Sequence, residues 1–308
     1  MILILALLLD AAFGEPAWLW SRLPHPAVLM GRLIGALEAR MNRGPSRKAA
    51  GVVMTAGLAL GAGLLGWLIH VIPDHGILET LFVAVLLAQR SLSDHVLAVA
   101  RGLRQSLDQG KRAVAMIVGR DTAPMGQADV ARAAIESAAE NLSDGVIAPA
   151  FWYLVGGLPG LLIYKIANTA DSTVGHMTPR YRDFGWASAR WDDLLNLIPA
   201  RLTALLLAAS HGWLDPRPVL RDAPKHRSPN AGWPESVLAP ILNVSLAGPR
   251  SYEGVMTDYP WVWPEGRRDP GPAEIEAAAH ALWRAWGLML ALVCLLTLIW
   301  PACVPLFF

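Results

Sequence analysis

Charge is scarce in this chain: charged residues fill 17% of its 308 positions, against about 25% in a soluble domain. An ordinary soluble globule is therefore disfavoured. Cysteine is scarcer still, with Cys294 and Cys303 alone in an apolar C-terminal stretch. Two such residues build neither a disulfide framework nor a metal-type Cys spacing. Neither sign of charge dominates, since 26 Lys and Arg face 25 Asp and Glu. That balance excludes a broad basic field for nucleic acid and an acidic disordered tail. There is no Walker A string, and the G-x-G-x-x-G at 61–66 lies inside an uncharged apolar run rather than at a strand-to-helix turn, so a nucleotide would need another kind of site. No His-x-x-x-His pair occurs, and His25 and His176 stand singly beside turns; no transition-metal site is assigned.

What the chain has is long apolar runs. Residues 49–69 carry no charge, and about 20 apolar residues cross a ~30 Å hydrocarbon core. Gly57, Gly61, Gly63 and Gly66 give this run the small-residue spacing of a close helix contact. A second apolar stretch, 77–89, follows a turn with no Lys or Arg at Pro73, Asp74, His75 and Gly76. Arg43, Arg47 and Lys48 precede the pair, and Arg90, Arg101 and Arg104 follow it. This predicts a helical hairpin with its tip outside and its feet in the cytoplasm. Residues 145–164 are uncharged, but the string GGLPG at 156–160 predicts two half-helices around a break. Residues 1–9 are apolar with no basic n-region or A-x-A site, which predicts a retained membrane helix rather than a secretory signal.

The expectation is one all-α, polytopic membrane domain with broken or re-entrant helices. Its membrane segments fall at about 1–12, 49–72, 77–89, 145–165, 194–210 and 285–306. Trp300, Phe307 and Phe308 would anchor the last one at the interface. The polar remainder falls into cytoplasmic blocks at about 10–48, 90–144 and 211–284. Within the last block, 259–272 reads as an irregular surface loop.

Polar clusters stand at the ends of these segments. The first is ESAAENLSDG at 136–145. Glu136, Glu140 and Asp144 recur every four residues, in one stripe of a helix expected to be capped near Asp129. Carboxylates so aligned repel unless a cation sits among them, and hard oxygen ligands point to Mg2+ rather than zinc. A solvated acidic face, with Arg132 paired to Glu136, is the plain alternative. The stripe, however, runs into the broken membrane segment, where spare carboxylates are costly.

The second cluster, YKIANTADS at 164–172, opens with Lys165 and sets Asn168 and Asp171 on one face. In the third, RWDDLLN at 190–196, Asp192 and Asn196 share a face and Asp193 can pair with Arg190. This suits a Mg2+–phosphate platform, although Asp-Asp near a helix start also compensates the helix dipole. Arg201, inside an apolar helix, needs an anionic partner. The fourth cluster is KHRSPNAGWP at 225–234. Lys225, His226 and Arg227 precede a turn carrying Ser228 and Asn230, and Pro234 fits the first turn of a new helix. Cations beside free helix amides make an anion site; a basic loop obeying the positive-inside rule is the alternative.

Taken together, these strings, with FGWASAR at 184–190 and DDLLNLIPAR at 192–201, resemble the signatures of the cobalamin-biosynthesis membrane protein family CbiB, called CobD in the aerobic pathway. Asp10, Gly14, Glu15, Pro16, His25, Pro26, Met30, Gly31 and VGRDT at 118–122 match as well. The likeness covers nearly the whole chain. It departs at Thr173, where a Met is expected. The resemblance implies adenosylcobinamide-phosphate synthase activity. Adenosylcobyric acid is joined in amide linkage to (R)-1-aminopropan-2-yl phosphate, or to aminopropanol, with ATP consumed and Mg2+ required. It also implies a multi-pass protein of the bacterial inner membrane, its site facing the cytoplasm. Lipids would surround it, and the other late enzymes of the pathway are candidate partners.

Combining both lines, Mg2+ is expected among Glu140, Asp144, Asp171 and Asp192. The 225–232 loop would hold a phosphate, with Asn141, Asn168, Arg190, Asn196 and Arg201 assisting. Glu136 or Asp193 would deprotonate the amine, and Lys165 is a further catalytic candidate. Two other readings stand beside this one. A Mg2+-dependent transferase of lipid diphosphates also uses Asp-rich helix ends. A corrinoid-binding or transport protein also uses broken helices, but would carry its polar groups nearer the membrane midplane.

Overall fold

The computed structural model describes residues 1–252 and 254–299. Its helices are α1 (Ile2–Phe13), α2 (Ala17–Trp20), α3 (Pro26–Met41), α4 (Arg47–His70), α5 (Ile77–Leu86), α6 (Gln89–Gln105), α7 (Leu107–Val114), α8 (Gln127–Leu142), α9 (Ala148–Val174), α10 (Trp186–Ser210), α11 (Arg217–Asp222), α12 (Gly232–Leu242) and α13 (Pro272–Ile299). The protein is all-α and polytopic. Among the described residues, five helical stretches are long and apolar enough to cross a membrane: Arg47–His70, Ile77–Gln105, Gln127–Val174, Trp186–Ser210 and Pro272–Ile299. By contrast α1 has 12 residues, about 18 Å of helix, short of a full span. Trp300, Cys303, Phe307 and Phe308 lie outside the described residues. The described residues divide into two compact units: 1–88, 148–196 and 293–299, and 89–147 with 197–292.

In the first unit α4 and α9 pack closely. A side chain at Gly66 would meet the Pro159 backbone at 2.6 Å, and one at Gly51 would strike the Phe184 carbonyl. Gly57 and Gly61 face open space, about a third to a half of a turn from Gly63 and Gly66. Of the four expected glycines, Gly63 and Gly66 line the contact with α9 and Gly57 and Gly61 do not, while Gly51 packs on Phe184 beyond the end of α9. Met54, Leu58, Ile166, Ala170, Val174 and Phe184 fill the core beside it. The hairpin turn forms as expected. Asp74 caps α5 by accepting from the N–H groups of Gly76 (2.9 Å) and Leu78 (2.6 Å). Glu79, buried in an apolar run, is satisfied by the Tyr153 hydroxyl at 2.6 Å and His70 Nδ1 at 2.8 Å. The break in α9 also forms: Gly156 and Gly157 leave helical geometry, with Gly157 at φ 60°, a conformation glycine adopts without penalty.

In the second unit α6, α7 and α8 pack together, with Val96, Val99, Val130, Ala134 and Ile135 buried. Asp129 sits at the third position of α8 and accepts from the Gly126 N–H at 2.9 Å. Arg132 pairs with Asp129 rather than with Glu136. A π-helical turn, Ser143–Ile147, follows α8. Asp144 is its second residue. Four short strands follow α12: β1 (Leu246–Ala247), β2 (Arg250–Tyr252), β3 (Val255–Thr257) and β4 (Trp261–Val262). The 259–272 stretch is thus not wholly irregular, since β4 pairs antiparallel with β1 and buries Val262.

Candidate active site

The first unit joins the second and third clusters. Asp192 Oδ1 accepts from the side-chain amides of Asn168 and Asn196, both at 3.1 Å. Asn196 Oδ1 in turn accepts from the Tyr164 hydroxyl at 3.0 Å. The i,i+4 spacing of Asp192 and Asn196 sets up one contact, and the packing of α9 on α10 supplies the others. Asp193 points elsewhere and takes Arg190 at 3.1 Å, as its i,i+3 spacing predicts. Asp171 is near enough to Asp192 for the two carboxylates to repel. Lys165 stands near His25. The His25 ring caps α3, Nδ1 accepting from the Ala27 N–H at 3.2 Å.

Asp192 is buried, and among the described residues no Lys, Arg or His forms an ion pair with it. A buried carboxylate held only by neutral amides, beside a second carboxylate, is the donor chemistry a hard divalent cation satisfies. No three His, Cys, Asp or Glu side chains group to hold a metal among the described residues. Mg2+ needs fewer, because it commonly takes one or two carboxylates and completes its shell with water and phosphate oxygens. Asp171 and Asp192 therefore fit Mg2+. The other two expected ligands, Glu140 and Asp144, belong to the second unit.

The second unit gathers the first and fourth clusters around α12. Glu136 is buried and fully engaged: Arg120 donates at 2.6 Å, the Ala247 N–H at 2.7 Å, and Arg250 lies at 3.5 Å. Asn141 donates to Ser137, whose hydroxyl holds the Ile117 carbonyl. The 225–232 loop is tight. Ser228 Oγ accepts from the N–H groups of Asn230 and Ala231. A side chain at Gly232 would strike the Ala223 carbonyl, so glycine is required there. Helix α12 begins at Gly232 with no side-chain cap, and Pro234 lies in its first turn as expected.

The cations of this loop divide in role. Lys225, expected as a phosphate ligand, is bound to buried Asp222 at 2.8 Å. Arg221 and the Trp263 N–H hold the same carboxylate. Burial pushes Asp222 up, but the hydrogen bonds from Arg221 and Lys225 outweigh it and keep the group below the usual carboxylate range. Arg227 is exposed and forms no ion pair among the described residues. Among the described residues Arg201 forms no ion pair with a carboxylate. It donates to Asn230 Oδ1 at 2.8 Å and to the Leu197 carbonyl, and lies over the Trp233 ring at 4.5 Å.

Several residues of this site escape a reading of the sequence. Glu235, on the first turn of α12, is buried 3.7 Å from His226 Nε2. Its Oε2, and the neighbouring Ser236 hydroxyl, have no hydrogen-bond partner among the described residues. His226 Nδ1 accepts from the Ser228 N–H at 3.0 Å, which leaves its Nε2 proton toward Glu235. Burial lowers His226, assisted by Arg250. Burial raises Glu235 well above the carboxylate range, assisted by the charges of Glu136 and Glu140. Both groups therefore favour their uncharged forms. His226 is already marked in the 225–234 cluster; the only sequence signal of Glu235 is its place three positions past a glycine turn, which resembles ordinary dipole compensation. Arg120 is visible only as part of VGRDT, and Arg250 carries no local signal.

The CobD/Cbib protein family matches residues 3–282. The chain belongs to the CobD/Cbib family. Three cobalamin biosynthesis proteins CobD show the extent of the likeness. That of Sinorhizobium sp is 47% identical, covering 97% of this chain and 98% of its own length. That of Rhizobium meliloti is 49% identical over 94% of both. That of Rhodobacter capsulatus is 45% identical, over 97% and 98%. No solved structure matches. Family membership puts the chain in cobalamin biosynthesis.

Proposed function

We propose that this chain is the acid–amine ligase of its pathway, joining adenosylcobyric acid to (R)-1-aminopropan-2-yl phosphate, or to aminopropanol, at the expense of ATP. A carboxylate is a poor electrophile at neutral pH. A corrinoid propionate oxygen therefore attacks the γ-phosphorus of ATP, ADP leaves, and an acyl phosphate forms. The amine nitrogen then attacks the acyl carbon and inorganic phosphate departs. Asp171 and Asp192 would hold Mg2+, with Glu140 and Asp144 the candidates in the second unit. Bound there, the metal would offset charge on the transferring phosphoryl group.

The observation that carries this reading is the pair Arg201 and Arg227. Among the described residues neither guanidinium forms an ion pair with a carboxylate, and Arg201 lies beside the uncapped start of α12, as a phosphate site requires. The amine must lose a proton. Glu136 is poorly suited to take it, being pinned by two guanidiniums and a backbone N–H. Glu235, held in its protonated form by burial, and His226, whose Nδ1 lone pair is taken by the Ser228 N–H, are no better placed, and Asp193 remains the candidate of the first unit. The site is proposed to face the cytoplasm of a bacterial inner membrane, with late pathway enzymes as neighbours.

Reconstitution tests the proposal. Purified protein with adenosylcobyric acid, ATP, Mg2+ and the aminopropanol phosphate should give product of the amide mass and one ADP per turnover. Asp192→Asn, which keeps shape and removes charge, should insert normally and lose turnover. Turnover without ATP on a lipid diphosphate, or corrinoid movement with no new amide, would sink the proposal. Orientation follows from labelling His75→Cys, which should react only from outside.

A further inference from the structure

A cavity of about 490 Å3 opens in the first unit, lined by Glu38, Asn42, Arg43, Arg47, Pro179 and Arg180 among others. No step of the proposed reaction uses it. Three guanidiniums face one carboxylate there. Glu38 is buried and held by Arg180 in a two-point pair at 3.0 and 2.8 Å, with the Asn42 amide at 2.8 Å. That pair fixes the cavity wall. Arg43 donates only to the Ala39 carbonyl, and Arg47 makes no hydrogen bond or ion pair among the described residues. The cavity thus keeps a net positive charge, with two exposed guanidiniums ready for an anion.

Its location decides which anion. Arg47 is the first residue of α4, a candidate membrane span. One turn on, Val52 and Val53 are exposed, and further along so are Leu60 and Leu64. Trp186, 43% exposed, carries the Lys48 ammonium 4.0 Å over its ring. Aromatic and basic residues at the end of a span mark the headgroup level of a bilayer. Basic pockets at that level bind anionic headgroups.

We propose that this cavity binds the phosphate of an anionic phospholipid. Arg43 and Arg47 grip the phosphodiester, Arg180 completes the wall, and the acyl chains lie along the exposed valines and leucines of α4. A free phosphate would satisfy the arginines, but would leave that apolar face unused; the proposal is for the lipid.

The test uses the full chain in neutral detergent, titrated with phosphatidylglycerol or phosphatidylcholine and read by native mass spectrometry. The wild type should hold phosphatidylglycerol at least about tenfold more tightly, as one or two charge-assisted bonds allow. The double variant Arg43→Gln/Arg47→Gln should lose that preference, while Arg43→Lys/Arg47→Lys keeps part of it. Both should express normally, because neither arginine holds a carboxylate of the fold. Equal retention of the two lipids by the wild type would overturn the proposal. So would an unchanged preference in the Gln variant, or displacement of the lipid by millimolar inorganic phosphate. None of these readings depends on the ligase reaction.

Discussion

The guanidinium of Arg201 donates to the side-chain oxygen of Asn230 at 2.8 Å and stacks over Trp233. An arginine inside an apolar helix thus finds dipoles and a ring, which orient it without neutralising it. Arg201→Gln should therefore raise KM for a phosphate-bearing substrate by about 10- to 100-fold, the worth of one charged hydrogen bond of about 1.5–3 kcal/mol. Arg201→Lys should recover only part, since an ammonium lacks the planar fork. Steady-state kinetics with ATP and each amine varied in turn will show which phosphate it serves.

Lys225 tests the division of labour in the same loop. Its ion pair with Asp222 makes it a structural cation. Lys225→Ala should lower stability by about 1 kcal/mol, a figure discounted for its partial exposure, and leave substrate constants near wild type. Arg227→Ala should do the reverse. Thermal unfolding in detergent, paired with kinetics, separates the two. Because Asp222 is held below its ordinary range, its contribution is present above the unfolded carboxylate pKa of about 3.9 and is lost as pH falls through the folded value.

The His226–Glu235 pair predicts two opposite slopes. Glu235 is raised in the folded state, so its share of stability is full below the unfolded carboxylate pKa of about 4.3. That share is lost as pH rises through the folded value. His226 is lowered, so its share is full above about pH 6.5 and is lost as pH falls through the folded value. Glu235→Gln should flatten the first slope and His226→Asn the second. Unfolding measured from pH 4 to 9 supplies the readout.

Glycines on one helix should behave unlike one another. Gly66→Ala forces a methyl group against the Pro159 backbone and should cost about 1–3 kcal/mol. Gly57→Ala and Gly61→Ala meet open space and should be neutral or slightly stabilising, through helix propensity. Detergent melting of the three variants is the check. Equal losses in all three would contradict the packing of α4 on α9.

The sequence by itself determined the periodic and local features. Uncharged runs long enough for a bilayer gave the spans, and GGLPG gave the break, since both follow from hydropathy and backbone sterics over a few residues. The Arg190–Asp193 and Asp192–Asn196 pairs were legible for the same reason: helical spacing dictates them. Only the tertiary structure decided which neighbours distant residues meet. It brought Asn168 to Asp192, gave Glu136 to Arg120 and Arg250, and committed Lys225 to Asp222. It also exposed Glu235, whose importance comes from burial beside His226 and from the charges of α8. The π turn at Ser143–Ile147 interrupts the helix in a way no 3.6-residue pattern announces. Spacing along a chain fixes which side chains share a face, but the desolvation and ion pairing that set their chemistry depend on what packs against that face.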